Sequence, residues 1–221
     1  MKNLKQMLLA LVGLCLVQCV SAQITVGDTP ERYYTSLPAM LADEYVETPY
    51  LTDMVRDNQG LIRFRMKDKA LRKALRKEAR IVVHQDSLLL NLRKLSYQGF
   101  DLGAGYTQAW MLNDTTLMFF APDAGWKAFG KELGVAMGTG LLTMGMTGGF
   151  GYVVVFMNGW ACYTYTGDGH KVQRLNRERT LEWLKEYDGL LYYDYTSLTE
   201  HDQKQQRTIQ QFMYRLVHPS K

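Results

Sequence analysis

The apolar positions of this chain follow a two-residue period in some segments and a helical period in others. Residues 61–66 alternate apolar side chains with Arg63 and Arg65, which predicts a half-buried strand. Residues 67–80 are strong helix formers, and Leu71 and Leu75 lie four positions apart on one face of the helix that they predict.

Short turn sequences separate β-rich runs at four places, and such an arrangement is typical of antiparallel hairpins. The turns are His84-Gln85-Asp86-Ser87 between 81–83 and 88–92, Asn113-Asp114 between 106–112 and 115–120, Asn158-Gly159 between 152–157 and 160–166, and Asp168-Gly169 between 160–166 and 171–175. Asn-Gly favours a type I′ turn, because both residues tolerate positive φ. The order of these runs predicts a sheet built from neighbouring hairpins.

Helix caps flank three further segments. Ser36 is the predicted N-cap of a short helix to Leu41, and Asn176 is the predicted N-cap of a helix that ends at Tyr187. Thr199 is the predicted cap of a last helix that reaches Val217, after a solvated loop. Together with the hairpins, these helices predict an α+β fold, an antiparallel sheet with packed helices, in one domain over residues 23–221.

The first 22 residues have the three parts of a secretory signal peptide. Lys2 and Lys5 form the basic end, residues 7–17 are an uninterrupted apolar run, and Val20-Ser21-Ala22 supplies small residues before Gln23. The run is about half the ~20 residues of a membrane-spanning helix, so cleavage is favoured over a short N-terminal anchor. The sequence therefore predicts an exported chain, periplasmic or associated with the outer membrane.

Composition narrows the choice of partners for the exported chain. Removal of residues 1–22 leaves 24 basic and 22 acidic side chains, a balance that predicts no nucleic-acid partner. Cys15 and Cys19 leave with the signal peptide, so Cys162 remains alone and the mature chain is expected to contain no disulfide. The expected role of Cys162 is that of a small buried apolar residue.

Residues 133–167 are 35 consecutive residues without a charge or a histidine. The glycine-rich part of this segment is the most unusual stretch of the chain. If residues 133–150 are helical, Gly134, Gly138, Gly145 and Gly149 lie within about 60° of one another. A glycine stripe lets a neighbouring helix approach closely. We expect an apolar helical segment there.

Three interpretations of this segment are open: a helix packed inside the fold, a single membrane span, and a short insertion for membrane contact or self-association. Residues 133–147 as a helix cover about 22 Å, which is less than the ~30 Å of a bilayer core and argues against a span.

No motif of the sequence predicts catalysis, a cofactor or a metal. Residues 103–108 begin like a dinucleotide-binding loop, but Gln108 stands where the third glycine is required. His84, Asp86 and Ser87 have the side chains of a hydrolytic triad, yet contiguous residues rarely form one, and a hairpin turn explains them better. A non-enzymatic protein is therefore expected.

Two surfaces of the predicted fold are candidates for binding. The helix at 67–80 carries seven basic residues, which indicates a solvated face and, as an alternative, contact with an anionic lipid surface. The tyrosines are the basis of the other prediction, a platform on which glycans stack: Tyr163 and Tyr165 on one strand, or Tyr192, Tyr193 and Tyr195. Asp188 and Asp194 lie six residues apart and are a candidate acid/base pair, but a solvated loop between helices explains them better.

Several segments together resemble a group of exported proteins of unknown function from Bacteroidales-type bacteria. The segments are Tyr34-Thr35-Ser36-Leu37, Asp86-Ser87-Leu88-Leu89-Leu90-Asn91, the glycine-rich tract, and residues 175–179 with Leu190-Leu191 ahead of Tyr195. The resemblance implies an envelope location and brings no catalytic residues. We therefore expect a non-enzymatic envelope protein that uses residues 133–150 for membrane contact or self-association, with a binding module for glycan or peptide as the alternative.

Overall fold

A computed structural model describes residues 31–49, 51, 53–123 and 159–219 of the chain. The strands are β1 Glu31–Tyr34, β2 Val46–Thr48, β3 Met54–Arg56, β4 Ile62–Phe64, β5 Ile81–His84, β6 Ser87–Asn91, β7 Ser96–Tyr97, β8 Phe100–Asp101, β9 Tyr106–Asn113, β10 Thr116–Pro122, β11 Trp160–Tyr165 and β12 Gln173–Arg174. The helices are α1 Leu37–Leu41, α2 Lys69–Lys77, α3 Arg177–Tyr187, α4 Gly189–Thr196, α5 Glu200–Lys204 and α6 Gln206–Val217. The predicted α+β fold is confirmed.

Ten of the strands form one antiparallel sheet. Its main path runs β12-β11-β10-β9-β6-β5-β1-β2, and β4 joins it through the pair Ile62 and Tyr106 while also pairing with β3. Strands β7 and β8 form a separate two-stranded ribbon. Long strands lie in the middle of the sheet, so the chain has a continuous surface on which helices can pack.

The register places two helical layers on the same face of the sheet. Leu89 pairs with Gln108, and Trp110, two residues further along β9, pairs with Met118, so all four side chains share one face. Leu89 belongs to the apolar cluster beneath α2, whereas Met118 belongs to the cluster beneath α3 to α6. A third cluster, which includes Leu90 and Phe119, fills the opposite face, where α1 packs.

The predicted hairpins that lie within the described residues are confirmed. Strands β5 and β6 are joined by Gln85 and Asp86, whose φ values of 46° and 61° give the two positive angles of a type I′ turn. Strands β9 and β10 pair as predicted, but the turn lies at Asp114-Thr115, one residue later than the predicted Asn113-Asp114, because Asn113 pairs with Thr116; β11 pairs with β12. The last of these is shorter than predicted, because only Gln173 and Arg174 extend along β11.

The predicted helix starts are confirmed by their caps. Ser36 Oγ accepts a hydrogen bond from Ala39 N, and Asn176 Oδ1 accepts one from Arg179 N. The capping side chains satisfy backbone donors that the first helical turn leaves without partners.

Two predictions for the C-terminal part are wrong. The expected loop after Asp188 is helix α4, since Asp188 caps it by accepting from Leu190 N and Leu191 N. The expected single helix from Thr199 is two helices, because Gln205 has an extended backbone with ψ 126°. Buried Gln203 stabilises this break, since its side-chain amide donates to Leu198 O at 2.8 Å.

The predicted signal peptide at 1–22, the glycine-rich segment 133–150 and the strand at 152–157 lie outside the described residues. Among the residues that the structure describes, none of the helices combines the length and the apolar character that crossing a membrane requires.

Candidate anion-binding groove

Helix α2 and the sheet beside it enclose a cavity of about 410 Å³ that is lined by basic side chains. We call this cavity the basic groove. Its cationic lining residues are Arg63, Lys69, Arg72, Lys73, Arg76, Lys77 and Arg93. No Asp, Glu or His is among its lining residues. The groove therefore concentrates positive charge in a concave site.

Sequence-local features build the helical wall. Asp68 caps α2 by accepting hydrogen bonds from Ala70 N and Leu71 N, and Leu75 turns towards the sheet, fully buried. The remaining face carries lysines at 69, 73 and 77 and arginines at 72 and 76, all exposed. Four-residue spacing places each like-charged pair on one side of the helix, about 6 Å apart along the axis.

Two buried side chains fix the end of this helix on the sheet. Asn91 Nδ2 donates to Ala79 O at 2.8 Å and to Leu75 O at 3.3 Å. Tyr106 Oη also donates to Leu75 O, and burial raises the pKa of this phenol well above its usual range, so it remains a donor. The last turn of α2 therefore has carbonyls that are satisfied by the sheet, and its basic side chains have a rigid base.

Arg63 on β4 and Arg93 just after β6 complete the cationic lining of the groove, and each is held by contacts of its own. Asp57 Oδ2 accepts from Arg63 Nε at 2.9 Å, which orients that guanidinium. Arg80 Nη1 donates to the carbonyls of Asn91 and Arg93, both at 2.9 Å, and this fixes the backbone that carries Arg93. Arg80 thus has a structural role, although the sequence alone groups it with the other basic residues of the helix.

The charges of the groove repel one another. Of its seven cations, only Arg63 has an ion-pair partner among the described residues. Partial burial lowers the pKa of Arg93, and the neighbouring guanidiniums of Arg76 and Arg63 lower it further. Each like-charged pair at i, i+4 on α2 costs the helix about 0.2–0.5 kcal/mol. An anion bound in the groove would relieve this repulsion.

The floor of the groove is apolar. Ile62, Leu75 and Tyr106 are buried, and half-buried Phe64 meets the Tyr106 ring edge-on with centroids 5.0 Å apart. Gly105 also lines the groove, and it lies so close to β4 that an added Cβ would be 2.7 Å from Leu61 Cβ. This glycine and Gly103 serve close packing, as the sequence indicates, and the groove can accommodate a ligand with an apolar part beside its charge.

The sequence predicts the basic helix but not the groove. The net charge of the mature chain does not reveal the basic cluster, because that chain is close to neutral while residues 61–94 contain eleven Lys or Arg and three Asp or Glu. A count over this window shows the segregation of charge. The contribution of Arg63 and Arg93 has no such signal, because it depends on how β4 and the end of β6 pack near α2.

The residues of the hypothetical triad are not arranged for nucleophilic catalysis. His84 is 1% exposed, and its Nδ1 shares a hydrogen bond with Glu31 Oε1. Ser87 lines a second cavity of about 340 Å³ together with His218, but no hydrogen bond joins these two residues in the described part of the chain. Instead, His218 stacks on Tyr214 with ring centroids 4.1 Å apart.

The tyrosine platforms do not form as predicted. Tyr163 and Tyr165 are 0% and 3% exposed in the core, and Tyr195 is fully buried with its hydroxyl donating to Gln203 O at 2.5 Å. Tyr192 is half-buried, and Tyr193 is 73% exposed. A stacking surface built on the buried members of these sets is excluded, because a glycan cannot reach them.

The remaining predicted residues have structural roles or lie outside the described residues. Asp188 is a helix cap and Asp194 pairs with Arg215 at 3.3 Å, so the two carboxylates do not form an acid/base pair. Cys162 is buried, as expected, and burial raises the pKa of its thiol. The described residues contain no cluster of His, Cys, Asp and Glu that could hold a metal ion. Gly134, Gly138, Gly145 and Gly149 lie outside them.

Comparison with known proteins gives one match. A family model described as a family of unknown function (DUF6563) matches residues 32–218, which include every residue of the groove. No curated protein and no solved structure matches the chain.

Proposed function

This chain belongs to the DUF6563 family of unknown function, and from that premise we propose that it is an exported, non-enzymatic protein that binds an anionic ligand in the basic groove. The observation that carries the proposal is the set of six cations, Lys69, Arg72, Lys73, Arg76, Lys77 and Arg93, that line one cavity without an ion-pair partner among the described residues. The pattern of residues 1–22 supports export.

The composition of the groove favours binding over chemistry. General acid–base catalysis usually uses a carboxylate or an imidazole near the reacting atoms, and none lines this cavity. Cavities of 300–1,000 Å³ with an apolar lining and a few polar groups are typical of sites for small molecules. The groove is of this size and combines an apolar floor with cationic walls, an arrangement suited to a ligand that carries several negative charges.

Charge reversal tests the proposal with tripolyphosphate as the probe in isothermal titration calorimetry at low salt. We expect Lys73→Glu/Lys77→Glu to weaken binding at least about tenfold, because two attractive charges become repulsive close to the bound anion. The matched control is Lys185→Glu/Arg207→Glu, which changes the net charge equally at exposed positions of α3 and α6. We expect that control to lower the affinity less than about threefold.

An equal loss in both double variants would mean that the probe responds to net charge, and the groove would not be its site. Undetectable binding by the unmodified chain would also reject the proposal. Thermal unfolding of each variant checks that all three proteins are folded.

The glycine-rich segment supports a second function, membrane contact or self-association through residues 133–150. Its support is the stripe of Gly134, Gly138, Gly145 and Gly149 within an uncharged stretch. We expect the mature chain without detergent to float with lipid vesicles or to sediment as an oligomer, and Gly138→Lys/Gly145→Lys to abolish either behaviour. A monodisperse monomer that does not float would reject this function, as would lysines that lower the melting temperature without changing either behaviour.

A further inference from the structure

Three of the four arginines that line the basic groove lie on different elements of the fold, and this arrangement indicates which class of anion the groove binds. Arg76 lies on α2, Arg63 lies on β4 and Arg93 follows β6, and all three line the cavity. Their forks supply donors in fixed planes, which suit oxyanions better than lysine ammonium groups do. Asp57 accepts a hydrogen bond from Arg63 Nε, and Arg80 donates one to the backbone carbonyl of Arg93. Neither contact uses an Nη group of Arg63 or Arg93, so in the described structure these groups can donate to a ligand.

Building on the proposed function, we infer that Arg63, Arg76 and Arg93 bind a phosphomonoester group, whose attached apolar or sugar body rests on Phe64 and the floor. A phosphomonoester has three terminal oxygens and nearly two negative charges at neutral pH, so it can accept from three guanidiniums and offset most of their charge. A carboxylate has two oxygens and one charge, and a sulfate ester has one charge. Both leave the mutual repulsion of the three arginines largely uncompensated.

The three lysines of α2 are expected to contribute differently from Arg63, Arg76 and Arg93. Lys69, Lys73 and Lys77 extend along α2 as compact charges on flexible stems, and they attract anions without fixing their orientation. Arg72 lies one helical turn before Arg76 and lines the same cavity, so it adds charge to the same groove. Arg207, which is exposed on α6 and does not line the groove, offers a matched control.

The pH dependence of binding discriminates between phosphate and sulfate. The titratable groups that line the groove are Lys69, Lys73, Lys77, the four arginines and Tyr106, and neither a carboxylate nor an imidazole is among them. Carboxylates and imidazoles are the side chains whose ordinary pKa values lie nearest to the range between about pH 5 and about pH 7.5. Asp57 contacts Arg63 from outside the groove. The second pKa of a phosphomonoester is about 6, so its dianionic fraction falls roughly tenfold towards pH 5. A sulfate ester stays a monoanion.

The experiment compares 1-naphthyl phosphate with 1-naphthyl sulfate and 1-naphthoate by calorimetry on the mature chain. We expect the phosphate to bind at least about tenfold more tightly than the other two near pH 7.5, and to lose most of this advantage near pH 5. Arg76→Lys and Arg93→Lys should each weaken phosphate binding by about tenfold, because they keep the charge and lose the fork, whereas Arg207→Lys, at an exposed position of α6 outside the groove, should change it less than about twofold. Unchanged melting temperatures verify that the variants are folded.

A parallel arm identifies the source of the phosphate. Vesicles of phosphatidylcholine with and without phosphatidic acid test a lipid headgroup, and glucose 6-phosphate tests a soluble ester. Equal affinity for the three naphthyl probes, a flat pH profile or equal effects of Arg207→Lys and Arg76→Lys would overturn the phosphomonoester inference. If the Lys73→Glu/Lys77→Glu variant still loses tripolyphosphate in that case, the basic groove stands; if no anion binds the unmodified chain, both proposals fail.

Discussion

Replacing Tyr163 with alanine is expected to lower the free energy of unfolding by about 4 kcal/mol, because it removes a large aromatic ring from the centre of the core. Tyr163 is fully buried on β11, opposite Phe119 of β10, and the two rings stack with centroids 5.7 Å apart. The ring of Tyr97 meets it edge-on at 5.8 Å. The neighbours cannot close the resulting cavity without moving two strands.

Urea denaturation followed by circular dichroism measures this effect. Tyr193→Ala is the matched control, since the same ring is removed from a side chain that is 73% exposed on α4, and we expect a change within about 0.5 kcal/mol. A Tyr163 variant as stable as the control would show that the ring is accessible, and the glycan platform would regain its basis. If the Tyr163 variant is destabilised as expected, any loss of glycan binding in it reports on folding and not on a contact with the glycan.

The sequence was sufficient for features that are decided by neighbouring residues. The Ser36 and Asn176 caps, and the hairpin turn at Gln85 and Asp86, depend on hydrogen bonds and backbone angles within a few residues. These elements form where the sequence indicates. The fold class followed from their order.

Features that are decided by distant residues could not be predicted in this way. The C-terminal helix is divided at Gln205, and buried Gln203, which accepts from Arg177 Nε at 2.7 Å, holds the end of the shorter helix. Nothing within residues 199–217 reveals that contact. In the same way, alternation along β11 shows that Tyr163 and Tyr165 share a face, but whether that face is core or surface depends on which strands flank it.

The basic groove combines both kinds of information. The charge on α2 can be counted along the chain, and only the packing of β4 and the end of β6 decides whether that charge faces open solvent or a cavity. In the structure, Arg63 and Arg93 line the groove together with the basic residues of α2. Arg80 does not line it, because its guanidinium donates to two backbone carbonyls. A face that sequence reasoning assigns to solvent therefore borders a cavity with an apolar floor.

Replacing Glu31 with alanine is expected to destabilise the fold by about 3 kcal/mol, because two buried groups lose their partner. The register that pairs Arg32 with Val83 places Glu31 opposite His84, and both residues are almost fully buried. Glu31 Oε1 shares a hydrogen bond with His84 Nδ1, while Oε2 accepts from Leu51 N at 2.7 Å. A single carboxylate therefore joins β1, β5 and the segment at Leu51.

Chemical denaturation of Glu31→Ala, His84→Ala and the double variant measures both the cost and the coupling. We expect the double variant to be destabilised by at least about 1 kcal/mol less than the sum of the single variants, because the second substitution removes a group that the first has already left unpaired. Glu47→Ala, which removes an exposed carboxylate from the adjacent strand β2, is the control and should change stability by less than about 0.5 kcal/mol. Strict additivity, or a Glu31 variant as stable as the Glu47 variant, would show that the buried pair does not hold the first strand of the sheet in place.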